Sequence, residues 1–423
     1  MKRNYLFNRI VIIVVIAFFF LACSKKSNQN PTPNPQKTVP TITSLSTTQG
    51  IYNTSVVITG TGFSSTTSDD QVFFNGKAAN ITAATATQLT VTVPLSAGTG
   101  SVTISVNNSV AATGPVFTYN PILFNNILAG NDDGAQGSAD GTGTAASFKN
   151  PNGLTVDASG NIYVADNGNN KIRTISPTGL VTTLATASNP AGIVIDGTGN
   201  LFFTDFNGGA VDKLTPGGVL TTLATGFNQP YGMAIDATGN LYVADQLNSE
   251  IKKVTPAGVV SVVAGTVLSS FPATPVNGPA ASATFHFPAG VAVDASGNLY
   301  VADTNDNMIR KITSNGTVST LAGSGSAGSA DGTGAAASFS GPTGITVDAT
   351  GNIYVADKNN HIIRKITPAG VVTTVAGKKG VYGFPENGPA TSITFDFPVA
   401  VTIDATGNIY ASDAAVVYKL SMQ

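Results

Sequence analysis

One eleven-residue segment recurs six times in the second part of the chain, and this repetition limits the fold more than any other feature. Its first copy reads Val-Asp-Ala-Ser-Gly-Asn-Ile-Tyr-Val-Ala-Asp over residues 156–166, and the first Asp of successive copies is separated by 39, 40, 58, 54 and 56 residues. A unit of about 40 residues with four short strands is typical of one β-propeller blade. The repetition therefore predicts an all-β chain with six blades. The two repeated aspartates of the copies are Asp157 and Asp166, Asp196 and Asp205, Asp236 and Asp245, Asp294 and Asp303, Asp348 and Asp357, and Asp404 and Asp413.

The first unit shows how the strands of a blade are encoded. It carries four runs rich in β-branched residues, at 153–157, 161–165, 171–175 and 179–185, which is the pattern of short strands. These runs resemble NHL repeats, and the stretch Asn-Asn-His-Ile-Ile-Arg-Lys-Ile at 359–366 is similar to the segment that names that family. The resemblance implies an NHL-repeat, six-bladed propeller over residues 121–423.

The two ends of the repeat region predict how the ring closes. The sixth unit ends at residues 418–423 and lacks the outer strand, whose sequence in other units is VTTLA or VSTLAG. Residues 123–130, just before the first unit, have that missing pattern. Because an unpaired sheet edge invites association with other chains, we predict that this N-terminal strand completes the last blade.

Residues 40–119 precede the repeats and have a different pattern. Short alternating runs are separated by turn residues, as in a small antiparallel sandwich. The runs TSVVITGTGF, VFFNG and QLTVTVP occur in this order and closely resemble the IPT/TIG immunoglobulin-like family. That resemblance implies an Ig-like β-sandwich that acts as a spacer or interaction module.

The first 39 residues predict export and anchoring. Lys2, Arg3 and Arg9 precede the apolar run 10–21, which has the order of a signal peptide and is short for a membrane span of about 20 residues. The run ends in Leu-Ala-Cys and resembles a bacterial lipobox. We therefore predict a signal peptide at 1–22, a lipidated Cys23, and a flexible tether over 23–39 that is rich in Pro, Asn and Ser. The alternative, an uncleaved anchor helix, also ends at a membrane.

The signal peptide and the lipidated Cys predict that the protein is attached through its lipid to the outer membrane of the bacterial cell envelope. The sequence does not distinguish the periplasmic side from the surface side. Removal of the signal peptide leaves 18 basic against 23 acidic residues. A nucleic-acid partner requires an excess of positive charge, so we expect none.

The twelve repeated aspartates favour a structural role. A residue present in every unit serves the blade, whereas an active site needs only one copy. Their D-x-x-G-N and pre-strand contexts are typical of Asx turns, in which the carboxylate accepts backbone N–H groups. The alternative is a ring of carboxylates around a cation such as calcium, which prefers oxygen ligands.

Four long connections, at 131–150, 266–287, 324–341 and 378–397, join blades on one side of the predicted propeller, which we call the long-loop face. Each contains Asp/Asn-Gly followed by Phe and then Pro. The shared Phe either packs beneath its own loop or stacks on a ligand. The blades that begin at Pro190 and Pro230 lack the insert, which predicts a cleft over them. Because loops on a rigid scaffold carry binding residues, the candidates are Asp140, Phe148, Phe285, His286, Asp331, Phe339, His361 and Phe395.

The side chains available for catalysis are few. The chain has 21 Asp, but only two Glu, two His and one Cys. NHL propellers resemble the core of peptidyl-hydroxyglycine amidating lyases, whose zinc is held by three His, and that site cannot be carried over to two. Gluconolactonase-like propellers use a Glu ligand, and neither Glu250 nor Glu386 begins an inner strand. We assign no catalytic residue and no cofactor, while calcium stays open.

We therefore expect an envelope lipoprotein whose long-loop face binds a protein, peptide or glycan partner. Low charge and many Asn, Thr and Ser residues suit recognition by hydrogen bonds. The alternatives are a metal-dependent propeller lyase or lactonase, and a propeller that only scaffolds an assembly.

Overall fold

The structure is a computed structural model that describes residues 39–267 and 275–423. The predicted signal peptide, Cys23 and all but the last residue of the tether lie outside the described residues. Across these two ranges, no helix combines the length and apolar character needed to cross a membrane.

Two sheets form the N-terminal sandwich, and their strands are antiparallel except for the parallel pair of Gln49–Gly50 with Ala112–Tyr119. Their inward-facing residues alternate with exposed ones, as in Ser55–Thr61, where Val56 and Ile58 are fully buried. Phe74 and Phe117 meet edge to face in the core, with ring centroids 5.0 Å apart. One sheet has the order β1-β3-β7-β6 and the other β2-β9-β8-β4-β5. The strands are β1 Thr41–Leu45, β2 Gln49–Gly50, β3 Ser55–Thr61, β4 Asp70–Phe74, β5 Lys77–Ala78, β6 Asn80–Ala84, β7 Gln88–Thr92, β8 Gly100–Val106 and β9 Ala112–Tyr119.

Six further sheets form the blades of a propeller. Within each blade the strands run antiparallel from the innermost to the outermost, and blades 1, 4, 5 and 6 add a two-residue strand from their insert loop. Blade 1 contains β11 Gly141–Thr142, β12 Pro151–Val156, β13 Ile162–Asp166, β14 Lys171–Ile175 and β15 Leu180–Thr186. Blade 2 contains β16 Pro190–Ile195, β17 Leu201–Asp205, β18 Ala210–Leu214 and β19 Leu220–Thr225. Blade 3 contains β20 Pro230–Ile235, β21 Leu241–Asp245, β22 Glu250–Val254 and β23 Val260–Gly265.

The remaining blades follow the same plan. Blade 4 contains β24 Gly278–Pro279, β25 Pro288–Val293, β26 Leu299–Asp303, β27 Met308–Ile312 and β28 Thr317–Ala322. Blade 5 contains β29 Gly332–Thr333, β30 Pro342–Val347, β31 Ile353–Asp357, β32 Ile362–Ile366 and β33 Val371–Ala376. Blade 6 contains β10 Leu123–Gly130, β34 Gly388–Pro389, β35 Ala400–Ile403, β36 Ile409–Ser412 and β37 Val416–Met422. Single 3-10 turns lie at Thr67–Asp69, Gly143–Ala145, Asn167–Asn169, Gln246–Asn248, Gly334–Ala336, Lys358–Asn360 and Ala390–Ser392.

The N-terminal strand closes the ring, as the sequence predicts. Strand β10 pairs with the C-terminal strand β37 in antiparallel register, with Leu123 opposite Met422 and Gly130 opposite Val416. The inner strands then contact one another around the whole ring, in the order β12, β16, β20, β25, β30, β35 and back to β12. The prediction of six blades with the first strand in the last blade is confirmed.

In blades 1 to 5 the inner strand approaches the next one too closely for a side chain at one position, which is Gly in each of these blades and Ala400 in blade 6. A Cβ atom on Gly290 would lie 2.1 Å from the carbonyl oxygen of Thr343 in the next blade. The corresponding Gly192 would place a Cβ 2.4 Å from the carbonyl oxygen of Tyr231. Both distances are far below contact distance, so Gly at this position allows the inner strands to pack tightly around the axis.

The sandwich contacts blade 6 where the chain passes from one domain to the other. The Tyr119 hydroxyl accepts a hydrogen bond from the Ser96 N–H at 3.1 Å and donates one to the Gln423 carbonyl at 3.1 Å. The Tyr52 ring packs edge to face on Phe124, with centroids 6.0 Å apart. The propeller is thus joined to the sandwich at both of its chain ends.

Candidate functional site

The first repeated Asp of each unit organises a turn on the face opposite the long loops. In blade 3, Asp236 accepts hydrogen bonds from the backbone and side chains of Thr238 and Asn240 at 2.7–2.9 Å. Burial raises the pKa of Asp236, but these hydrogen bonds outweigh it and bring the pKa down to about 2. The same bonds from the Asn four residues on recur in all six units. These carboxylates are therefore occupied by turn N–H groups.

The second repeated Asp lies under the long-loop face, and in three blades it forms a buried ion pair with an Arg instead of the Asx turn that the sequence predicts. Arg173 and Asp166 are both fully buried, with the guanidinium 2.8 Å from the carboxylate. The other Arg173 nitrogen reaches Asp140 of the insert loop at 2.7 Å and the Ala139 carbonyl at 2.8 Å. A single Arg therefore binds the insert to its blade. Arg310 repeats this arrangement with Asp303 and Asn277, and Arg364 with Asp357 and Asp331.

Asp140 and Asp331 are thus loop anchors as well as partly exposed groups. Their side chains keep 47% and 41% exposure above the arginines. Burial raises the pKa of Asp140, but the hydrogen bonds from Thr183 and Arg173 together lower it by more, so that the pKa is below its usual value. Each carboxylate is charged at neutral pH and already paired.

The four candidate Phe residues do not face a ligand. Phe148, Phe339 and Phe395 are 0% exposed and Phe285 is 1% exposed. Three of these rings lie against the buried guanidinium groups of their blades, at 5.0–5.4 Å from ring centroid to guanidinium carbon. Their placement among the candidate binding residues is corrected: they support the loops from below, because a ring that leaves water stabilises the insert on which it sits.

Three blades replace the Arg at the position seven residues after the second Asp. In blade 3 it is Lys252, 2.5 Å from Asp245. In blade 2 it is Asp212, whose pKa is raised mainly by burial and also by the nearby Asp205. In blade 6 the loop is two residues shorter, and the equivalent residue is Tyr418, which pairs with Ala411 across the sheet and donates a hydrogen bond to Asp413 at 2.5 Å.

The two candidate His residues lie in different blades. The His361 Nδ1 accepts a hydrogen bond from the Phe397 N–H at 3.4 Å, and burial lowers the pKa of His361. The side-chain oxygen of Asn170 accepts the equivalent N–H of Asn189 in the next blade, so His361 links neighbouring blades. His286 lies with Nδ1 3.6 Å from Asp306. Within residues 39–267 and 275–423, no group of three or more His, Cys, Asp or Glu side chains is arranged to hold a metal ion.

An open cleft of about 400 Å³ lies on the long-loop face, over blades 3, 4 and 5. It shares Tyr231 with the glycine-lined mouth of the central channel. The sequence predicts a cleft over blades 2 and 3, which begin at Pro190 and Pro230. The observed cleft agrees with this prediction only in part, because it covers blade 3 but extends over blades 4 and 5 instead of blade 2. Its polar lining is Tyr231, Gln246, Thr304, Asn305, Asn307, Ser340, Thr343, Lys358 and Asn359.

Sequence reasoning missed these cleft residues, although a signal for them exists. The residue directly after the invariant second Asp differs in all six units: Asn167, Phe206, Gln246, Thr304, Lys358 and Ala414. The blade structure keeps the neighbouring positions constant but does not restrict this one, so its side chain is available for a role that differs between blades. Three of these six residues line the cleft.

The fold and this face define a class of protein: an immunoglobulin-like domain followed by a closed β-propeller with one loop-rich face. The IPT/TIG domain model matches residues 40–119. The Virginiamycin B lyase family model matches residues 141–376, which is more than half of the chain. The chain therefore belongs to the virginiamycin B lyase family. The resemblance of its motifs to NHL repeats stays a prediction.

Solved structures share the architecture at low sequence identity. An auxiliary nutrient binding protein from Bacteroides thetaiotaomicron is 19% identical, with a TM-score of 0.72 over 91% of this chain and 98% of that chain. A second one from Bacteroides ovatus is 18% identical, with a TM-score of 0.66 over 93% and 100% of the two chains. A virginiamycin B lyase from Staphylococcus aureus is 17% identical over 72% of this chain and all of its own, with a TM-score of only 0.46. No functionally curated protein matches this chain.

Proposed function

We propose that this chain is an outer-membrane lipoprotein that binds a protein, peptide or glycan partner on the long-loop face of an NHL-like propeller. In this proposal Cys23 carries the lipid, residues 23–39 form a tether, and the sandwich is a spacer. The tether reaches at most about 55 Å at roughly 3.3 Å per residue. The propeller can then meet ligands away from the membrane surface.

The single observation that carries the proposal is the cleft of about 400 Å³ on the long-loop face. Its volume lies within the range of about 300–1,000 Å³ that is typical of ligand sites. Amide and hydroxyl side chains dominate its lining, with Lys358 as the one charged residue. Such a lining selects ligands by hydrogen bonds rather than by charge. The nutrient-binding description of the two Bacteroides structures agrees with a binding role.

The insert loops give the face its rigidity. The ion pairs of Arg173 and Arg364, together with the buried Phe rings, hold the loops against their blades. A rigid, preformed site loses less conformational entropy on binding than a flexible one.

The test combines cleft variants with a ligand panel. The full-length protein in detergent is titrated by calorimetry with neutral oligosaccharides and with short peptides. Gln246→Ala, Asn305→Ala and Asn359→Ala should each weaken the bound probe about five- to tenfold, because each removes one hydrogen-bonding group. Thr178→Ala, in a turn on the opposite face, is the control. Unchanged affinity in all three cleft variants overturns the proposed site.

Loop shortening gives a second, independent test. Residues 131–138 and 324–329 can be replaced by short turns while Asp140, Phe148, Asp331 and Phe339 are kept, so that the buried arginines stay paired. Partner binding should fall with the shortened loops, and binding at the unaltered level would contradict the role of the inserts. Lipidation is tested by mass spectrometry of the mature N-terminus, with Cys23→Ser as the unlipidated control.

A second candidate function is a metal-dependent lyase or lactonase, and the family match over residues 141–376 is the observation that favours it. This alternative predicts a stoichiometric metal ion, calcium included, in the purified protein. It also predicts turnover in a lactone and cyclic-peptide panel that EDTA abolishes. Absence of both metal and turnover would eliminate it.

A further inference from the structure

A second, smaller pocket lies beside blade 6, away from the cleft over blades 3 to 5. It has a volume of about 110 Å³, well below that of pockets that enclose whole drug-sized ligands. Two insert loops meet here: a Cβ on Gly134 would lie 3.2 Å from the ring of Phe384. The residues that line the pocket are Gly134, Tyr382, Gly383, Phe384, Pro385, Asp396, Asp413, Ala414 and Ala415.

The internal repeat shows what is missing from this pocket. In blades 1, 3, 4 and 5, the second Asp faces a basic side chain seven residues later: Arg173, Lys252, Arg310 or Arg364. In blade 6 the loop after Asp413 is two residues shorter, and Tyr418 takes the place of the basic residue. Among the described residues, Asp413 therefore has only neutral hydrogen-bond donors, namely Tyr418 and backbone N–H groups.

The second carboxylate of the pocket adds to this imbalance. Asp396 is half-buried, and among the described residues no Lys or Arg lies within ion-pairing distance of it; His361 interacts with it electrostatically, but burial lowers the pKa of His361. The pocket lining contains two carboxylates and no Lys or Arg. Two negative charges in a partly buried site favour a positively charged occupant.

The aromatic rings around the pocket suit the same occupant. Tyr382 and Phe384 are each 71% exposed and Phe397 is 42% exposed, which is unusual for large rings outside an interaction site. His361 fixes two of them, with its ring centroid 5.9 Å from that of Tyr382 and 4.5 Å from that of Phe397. Aromatic faces attract cations, and such rings beside carboxylates form cages for ammonium groups.

We propose that this pocket binds the ammonium or guanidinium end of a Lys or Arg side chain from a peptide segment of the partner. Asp396 would accept the hydrogen bonds of the cation, and Tyr382 and Phe384 would cover its apolar stem. The inference rests on the proposed binding function and gives the partner a chemical character that the cleft, whose one charged lining residue is Lys358, does not. The pocket residues lie outside that cleft, so the two sites can be tested separately.

The experiment uses acetylated, amidated Gly-Gly-X-Gly-Gly peptides, with X as Lys, Arg or Gln, titrated by calorimetry into the full-length protein at low salt. The Lys or Arg peptide should bind at least about tenfold more tightly than the Gln peptide, and added salt should weaken it. Asp396→Asn should reduce this preference about tenfold. Tyr382→Ala and Phe384→Ala, at sites that are 71% exposed, should weaken the binding of the Lys and Arg peptides.

Asp132→Asn is the matched control, because it removes the same charge from the neighbouring exposed loop without altering the pocket lining. An equal loss of affinity in Asp132→Asn and Asp396→Asn would mean general electrostatic attraction and would overturn the proposal. Equal binding of the Gln and Lys peptides would also overturn it, as would neutral oligosaccharides that require Tyr382 but not Asp396. None of these outcomes depends on the results for the cleft variants Gln246→Ala and Asn305→Ala. A failure of the cation-pocket proposal can therefore be distinguished from a failure of the proposed function.

Discussion

Replacement of Arg364 by Met tests how strongly the buried ion pairs hold the propeller together. Arg364 is fully buried and makes four hydrogen bonds: to Asp357 at 2.9 Å, to Asp331 at 2.9 Å, and to the carbonyls of Ser338 and Ala330 at 2.9 and 2.7 Å. Met fills a similar volume but provides no donor. Asp357, which is also fully buried, loses its cation, and the insert loop loses its anchor.

The magnitude follows from the charge that is left behind. Removal of one partner of a buried ion pair costs about 3–5 kcal/mol, because the remaining charge is neither solvated nor paired. For a domain of this size, 1 kcal/mol lowers the melting temperature by about 2 °C. We therefore expect Arg364→Met to melt about 6–10 °C below the parent protein. The double variant Asp357→Leu/Arg364→Met should recover part of this loss, because no buried charge remains, although two loop carbonyls still lack their donor.

The assay is thermal unfolding followed by far-ultraviolet circular dichroism, with limited proteolysis of the 324–341 loop as a local readout. Lys365→Met is the control, because Lys365 is next to Arg364 in sequence but its side chain is only half-buried, with Nζ 5.8 Å from the centroid of the Tyr354 ring. We expect the control to melt within about 2 °C of the parent protein. If Arg364→Met melts as close to the parent as Lys365→Met does, the buried pair does not stabilise the blade and the reasoning is wrong.

Three further predictions concern the blade structure. Burial raises the pKa of Asp413 to about 6, so the folded state binds this proton more tightly than the unfolded state. The protonated Asp413 side chain contributes fully to stability below about pH 4, and this contribution, up to about 3 kcal/mol, is lost as the pH rises through 6. In Asp413→Asn, the free energy of unfolding by urea should not show this decline between pH 4 and 7. A parallel decline in both proteins would contradict the prediction. Phe339→Ala should cost about 3–5 kcal/mol by opening a cavity under its loop, whereas exposed Phe384→Ala should cost less than about 1 kcal/mol in the same urea assay; equal costs would refute the supporting role of Phe339. Gly290→Ala should lower the melting temperature by several degrees because its Cβ would meet the Thr343 carbonyl at 2.1 Å, with Gly197→Ala, which meets nothing within 4 Å, as the tolerated control, and a Gly290→Ala protein that melts with its parent would contradict the tight ring.

Much of the fold could be predicted because it is written in local patterns. The six Asp-containing turns depend on contacts between residues two to six positions apart, such as Asp157 with Asn161 and Tyr163. Closure of the ring was also predictable, because the missing outer strand of the last unit matches a run at 123–130. Local hydrogen bonds and strand periodicity are properties that a sequence expresses directly.

The candidate site could be predicted only in part. Asp140 and Asp331 lie on the long-loop face as expected, but their partners Arg173 and Arg364 are 33 residues away in sequence. The shared Phe residues suit either a plug or a ligand contact by pattern alone, and their burial depends on the loop folding back over the blade. The cleft residues come from three blades, so no single repeat reveals them.

The sequence by itself determined the order of the domains, the number of blades and the turns built on the first repeated Asp of each unit, because each follows from a periodic, local interaction. The tertiary structure decided which charges are neutralised and which are not. Asp166 and Asp413 occupy the same place in their repeats, yet only Asp166 meets an Arg. That difference arises from a loop two residues shorter and from the side chains that neighbouring blades and inserts bring to it, and such long-range packing is what gives the two pockets their different chemistry.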